Sequence, residues 1–375
     1  MGGRRSGIIV LALGLILVVA GFTLAWGTQQ DTNPAMNHPH AFAWKVFVEI
    51  NRSANNGSND VVWETWATDP DTFPPTGDPS ACVGTRTDPK RCPTWPGAKH
   101  RRDELQPVAK QLAAGVRSEP QEVVYRNKPA YDYIVSNNLW FRDGLIDAFR
   151  RAQAGDFTVA FPINGIETKA IWVEINVRDK PRYHWNYASD GRLYGLTALH
   201  IMTKDIPAWF WATFEHVDNI GRCDFIGCHD TFGSTPFNVP PKATDGGLYD
   251  AGRPTAALVA MFRRAGMGPE WYNYRLKGTQ TDFVDVTGNP IRLGNSQLEE
   301  GFVPTASCMT CHARSTVNGA GMTLNVFRSR QPLQGNLGVP DRSWFFNPDG
   351  SLRMLPMDFV WAFIKVLRQL PPDGR

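Results

Sequence analysis

The apolar positions along the chain change period several times, and each change predicts an element. An uncharged run of 19 residues, Ile8 to Trp26, is rich in Ile, Leu and Val. A helix of that length crosses the hydrocarbon core of a bilayer. Residues 29–41 are polar and read as a linker. Apolar and aromatic residues return with near-helical spacing at Phe42, Val46, Phe47 and Ile50. Asn55 to Pro107 is rich in Gly, Pro, Asn and Asp, which predicts loops. Two short helices are expected over Tyr131–Asn137 and Asp143–Ala154. Lys169–Val177 alternates and is β-branched, so it predicts a strand, with Leu193–Met202 and Ala208–His216 as further strands of the same sheet. Thr255–Ala265 reads as an amphipathic helix, Asn295–Phe302 as another, and Asp358–Leu370 as a closing helix. The expected fold class is α+β. It comprises an N-terminal transmembrane helix or signal segment (1–28), a linker (29–41), an antiparallel sheet body (42–290) and a helical C-terminal part (291–375).

The sharpest chemical signal lies in that last part. Cys308-Met309-Thr310-Cys311-His312 spells Cys-x-x-Cys-His, the attachment signature for c-type haem. The two thiols add across the two vinyl groups of one porphyrin, and the adjacent histidine offers its imidazole to the iron. At a helix start, cysteines three apart share one face, and His312 can reach under the ring. The competing reading is a zinc half-site or a redox dithiol with an accidental histidine. Zinc needs two more ligands, and no matching cluster stands nearby in the sequence. The βαβ setting of a thioredoxin-type motif is also missing. The region 291–375 therefore reads as the cytochrome c-like, haem-bearing part.

The N-terminus bears on location. Arg4 and Arg5 precede the apolar run, which favours keeping that end cytoplasmic and placing the rest across the membrane. The run reads either as an uncleaved inner-membrane anchor or as a cleavable signal with Thr23-Leu24-Ala25 as its site. In both cases the bulk faces the bacterial periplasm, where haem is attached to such motifs and disulfides persist. Net charge is +3, from 39 basic and 36 acidic side chains, which gives no electrostatic case for nucleic acid.

The other cysteines fall in pairs. Cys82 and Cys92 flank a polar loop and read as a disulfide. Cys223, Cys228 and His229 spell Cys-x4-Cys-His, either a disulfide before a histidine or a stretched attachment site for a second haem. If one haem is present, His312 is its proximal ligand. The distal candidates are Met354 and Met357, which precede the closing helix, and His200 and His216, which sit on strand-like segments. The same histidines are the candidate catalytic acid/base groups if the sixth position is open.

Several segments together resemble an uncharacterised family of bacterial c-type cytochrome proteins: FAWKVFVEIN, KAIWVEI, YGLTALHIMTKDIPAWFWATFEHVDN and NSQLEEGFVPTASCMTCHA. The resemblance spans residues 42 to 315 and is most specific at WATFEHVDN and SCMTCHA. It implies a periplasmic or membrane-attached haem protein and no particular reaction. The expected function is single-electron transfer by a c-type cytochrome, with a redox partner protein or respiratory component. The alternative is a peroxidase- or oxygenase-like haem oxidoreductase, which the size of the body favours. A haem-based sensor ranks last, because no signalling domain accompanies the motif.

Overall fold

A computed structural model of the chain describes residues 33–82, 88–97, 121–243 and 246–369. Its centre is a seven-stranded antiparallel sheet. The strands are β1 (Ala67–Thr68), β2 (Gln121–Arg126), β3 (Ile166–Glu174), β4 (Trp185–Tyr187), β5 (Leu193–Thr203), β6 (Phe210–His216) and β7 (Tyr274–Gln280). They lie in the order β1-β2-β3-β5-β6-β7, and β4 pairs with β5. The longer helices are α1 (Pro39–Ile50), α2 (Lys128–Ser136), α3 (Arg142–Gln153), α4 (Ala256–Ala265) and α5 (Cys308–Ala313).

Side chains alternate across the sheet, and both faces are covered. One face presents Leu199, Ile201, Phe210, Ala212, Phe214, Tyr274 and Leu276 to a core completed by α1 and α4. There Trp44 and Phe47 of α1 pack on Phe214, with ring centroids 4.9 and 4.4 Å apart. Thr255 caps α4 by accepting from Leu258 N, and Gly266 ends it with φ 67°, a left-handed conformation that glycine adopts without strain. The opposite face carries Met202 and Trp211 into a second core with α2, α3 and the segment after β7. Because neither face meets water, every residue of β6 is buried. Its sequence therefore reads as one apolar run rather than an alternation. A register shift between Ile171 and Trp172 leaves Thr197 unpaired. That bulge keeps Leu196 and Leu199 on one face despite their odd separation.

The expectation of a helical C-terminal part is overturned. Among the described residues beyond 290, α5 is the only α-helix, and the rest is 3-10 turns and two-residue bridges. Asn295–Phe302 forms turns, held by Glu299 accepting from Asn295 N at 2.6 Å. The closing segment starts with Asp358 and Phe359 at φ 47° and 69°, which breaks an α-helix before it begins. Only Trp361–Arg368 winds, as a 3-10 helix. The expected transmembrane helix is likewise not found: among the described residues no helix is long and apolar enough to cross a membrane. The run Ile8–Trp26 that prompted it lies outside the described residues.

Two disulfides tie the loops. Cys82 joins Cys92 with Cα atoms 5.6 Å apart, and Cys223 joins Cys228 at 5.1 Å. The second bond is the disulfide that was one of the two alternatives at Cys-x4-Cys-His. His229 is exposed, and its ring lies edge-on to that of His40 with centroids 5.0 Å apart. Closing so short a loop contributes about 2 kcal/mol by restricting the unfolded chain. Replacing both cysteines (Cys223→Ser with Cys228→Ser) is therefore expected to lower unfolding free energy by that amount, read by urea denaturation. Bound haem per chain should not change.

Candidate functional site

The motif cysteines are the pair that stays free. They stand on α5, which Ser307 caps by accepting from Thr310 N. Gln280 of β7 holds the start of the helix, since its Nε2 donates to Ser307 Oγ at 2.9 Å and its Oε1 accepts from Met309 N at 3.1 Å. The segment before the helix runs against Leu293–Asn295. A Cβ at Gly294 would fall 2.7 Å from the Cβ of Ala306, so this close approach requires glycine.

Cys308, Cys311 and His312 open into one cavity of about 290 Å³ on the second face of the sheet. Its apolar wall includes Leu293, Phe302, Phe327 and Trp361, and the sheet supplies Lys169, His200, Met202 and Trp211. The two thiols make weak contacts: Cys308 Sγ donates to Leu293 O at 3.5 Å, and Cys311 Sγ donates to Asn336 O at 3.8 Å and accepts from Asn336 N at 3.5 Å. Burial pushes both thiols above their ordinary pKa. They are therefore neutral S–H groups rather than reactive thiolates.

The imidazole of His312 is fixed from both sides. Its Nδ1 donates to Phe359 O at 2.7 Å, and its ring lies 4.5 Å from that of Trp211. Burial, with Lys169 next in effect, lowers its pKa to about 3. The ring is neutral, its proton sits on Nδ1, and Nε2 keeps its lone pair. The carbonyl that orients it belongs to the strained turn at Asp358 and Phe359. That turn is pinned where the Asp358 carboxylate accepts from Phe161 N at 2.7 Å and pairs with Lys204 at 2.6 Å. Backbone strain placed where it aims a carbonyl at a ligand-type histidine is a positioning device.

His200 and His216 part company. His200 pairs in register with Thr213, and His216 lies three residues further along β6. An odd separation on a strand means opposite faces. His200 faces the cavity, whereas His216 is buried among Tyr183 and Tyr274. The Nε2 of His216 donates to Arg182 O at 2.9 Å, its Nδ1 accepts from Asp218 N at 3.2 Å, and burial lowers its pKa to about 4. It is a hydrogen-bonded core histidine. Met357 is buried in the second core, Met354 is also buried, and neither lines the cavity. Met202 does line it, though nothing in the motif's spacing pointed to β5 for a thioether.

The groups around His200 were not legible as a site. Asn295 Oδ1 accepts from Gln297 N and Leu298 N, which turns its Nδ2 toward His200 Nε2, 2.8 Å away. Glu299 Oε2 lies 3.5 Å from the same nitrogen. Burial alone would raise the Glu299 carboxyl, but His200, Asn295 N–H and Lys169 together hold it below its ordinary range. Lys169 stands beside His200 in the β3–β5 register and pairs with Glu122 at 3.0 Å. The residues present fit a covalently held haem: two free thiols one helical turn apart, a neutral imidazole with an open Nε2, and an apolar wall. The cavity's polar side holds a histidine, a carboxylate and an ammonium within reach of one another. No protein-family model, curated protein or solved structure matches the chain.

Proposed function

We propose that the chain is an exported c-type cytochrome that holds one haem on Cys308 and Cys311 and passes single electrons to or from a redox partner protein. The observation that carries this is the division of the cysteines. Four are joined in two disulfides, and the two left free line one cavity beside a neutral imidazole. Cys308 and Cys311 would hold the porphyrin through thioethers, and His312 would offer Nε2 to the iron. Haem c bound there supplies a reversible one-electron couple. The chain's own groups do the rest. Phe359 O orients the imidazole, Trp211 and the apolar wall exclude water, and Lys169, Glu299 and His200 set the local charge. Among the described residues, no group of three or more His, Cys, Asp or Glu is arranged to hold a metal ion, which disfavours a zinc site. Export is supported by the disulfides and by Arg4 and Arg5 ahead of the apolar run. The likeness of SCMTCHA and its companion segments to bacterial c-type cytochromes supports the same function.

One observation favours a second function, a haem oxidoreductase with an open distal side. His200 Nε2 is already occupied by Asn295, next to the Glu299 carboxylate, an arrangement suited to holding and releasing a proton. Carbon monoxide separates the two. A carrier with both axial positions filled leaves the ferrous spectrum unchanged on adding carbon monoxide, whereas rapid binding moves the function to the oxidoreductase. Among variants, His200→Ala is expected to shift the visible spectrum of the haem protein. His216→Ala should leave that spectrum unchanged and cost about 1–3 kcal/mol in stability, because it leaves Asp218 N without its acceptor and opens a cavity between Tyr183 and Tyr274. A spectral shift from His216→Ala alone would contradict this assignment of faces.

A further inference from the structure

A second cavity, of about 380 Å³, lies between the β7 edge and residues 222–254, and the haem function does not use it. Two guanidinium groups line it, and both belong to buried residues, Arg222 at 3 % exposure and Arg275 at 4 %. Neither is in an ion pair among the described residues. Arg275 donates to the carbonyls of Ala251, Gly252, Tyr272 and Tyr274 at 2.7 to 3.2 Å. Arg222 is far less well served. It donates to Asp250 O at 3.0 Å and reaches the sulfurs of Cys223 and Cys228 only at 3.5 and 3.7 Å, and its Nε, buried, has no partner. A buried cation with an unmade hydrogen bond is unfavourable, and a second cation beside it adds repulsion.

The acids nearby do not cancel this charge. Asp230 also lines the cavity, but its carboxylate accepts from Trp44 Nε1 at 2.8 Å and from the backbone N–H groups of Phe232 and Gly233. Asp250 lines it too and is exposed to solvent. Glu215 acts on Arg222 through space but is held by Ser296 and Lys277. Two large apolar side chains, Phe237 at 48 % exposure and Leu248 at 73 %, border the cavity beside the exposed Lys242. Large apolar groups left in water beside a buried positive charge describe an amphipathic anion.

We propose that this cavity binds an organic carboxylate, its head on Arg222 and its apolar tail against Phe237 and Leu248. Nε is the Arg222 nitrogen with no protein partner, Nη1 reaches only sulfurs, and a guanidinium N–H of this kind donates to a carboxylate oxygen. The cavity lies at the low end of the size range of small-molecule sites.

The test is isothermal titration calorimetry of the full chain with sodium hexanoate, hexanol and inorganic phosphate. Saturable binding of hexanoate, with neither hexanol nor phosphate matching it, is expected. Arg222→Met should weaken hexanoate at least tenfold. Leu248→Glu, a change at an exposed position that leaves the core intact, should weaken it several-fold by placing a like charge at the mouth, and it decides the matter if Arg222→Met does not fold. Absence of saturable hexanoate binding, equal binding of hexanol or phosphate, or full affinity in Leu248→Glu would overturn the proposal.

Discussion

Replacing both motif cysteines (Cys308→Ala with Cys311→Ala) is expected to take covalent haem from one per chain to none while the protein still folds. The thiols are held by weak contacts to Leu293 O, Asn336 O and Asn336 N. Their loss costs about 1 kcal/mol each in packing, against a total stability on the order of 5–15 kcal/mol. The start of α5 is secured by groups the change does not touch, namely Ser307, Gln280 and the Thr310 hydroxyl, which donates to Gly338 O at 2.7 Å. A haem stain of a denaturing gel, beside a urea unfolding curve, checks both halves. Stain that survives the double substitution would show that these thiols are not the attachment points.

The largest expected effect on stability lies at the edge of the same cavity. Arg126 is fully buried and joins three segments: it donates to Thr68 O at 2.9 Å and Thr72 Oγ1 at 2.8 Å, and pairs with Asp69 at 2.5 Å and Glu167 at 3.5 Å. Glu167 is itself buried and lines the cavity. Burial pushes its carboxyl above the usual range, and Arg126 opposes that shift. Arg126→Met keeps the volume and removes the charge, leaving the buried Glu167 carboxylate without its partner and Asp69 with Lys365, 3.3 Å away. Breaking one partner out of a buried ion pair costs about 3–5 kcal/mol. The urea midpoint should fall accordingly with an unchanged slope. Adding Glu167→Leu should recover part of the loss, because it removes the carboxylate left uncompensated. A loss under about 1 kcal/mol in Arg126→Met would mean the cluster is not dry.

What the sequence made legible was what local periodicity and spacing control. The helix near Phe42, the helix after Thr255 and the three strands over Lys169–Val177, Leu193–Met202 and Ala208–His216 all reappear within a few residues of their expected ends. Four strands of the sheet, β1, β2, β4 and β7, were hidden. β7 reads YRLKGTQ, and its Arg275 and Lys277 disguise a buried strand as a polar one. They are tolerated inside because carbonyls satisfy Arg275 and Glu215 sits 3.5 Å from Lys277. β2 is short and interrupts an otherwise polar stretch. In the site, the motif announced Cys308, Cys311 and His312 because their chemistry fixes their spacing. The distal side had no such signature. Whether His200 or His216 faces the cavity depends on strand register and parity. Met354 and Met357 sat at a plausible distance along the chain but pack into the core. Asn295 and Glu299 share one turn segment and Lys169 comes from β3, and only the folded sheet brings them together around His200. The C-terminal helices failed for a backbone reason: left-handed residues at Asp358 and Phe359 turn the chain so that a carbonyl can reach His312.

The central claim is that one haem is held covalently by this chain. A pyridine haemochrome spectrum of protein matured in a host that attaches c-type haem, with haem counted per polypeptide, tests it most directly. One haem per chain with the band position of two saturated thioether links is the predicted result. Two haems per chain would contradict the disulfide at Cys223 and Cys228, and none would contradict the function itself.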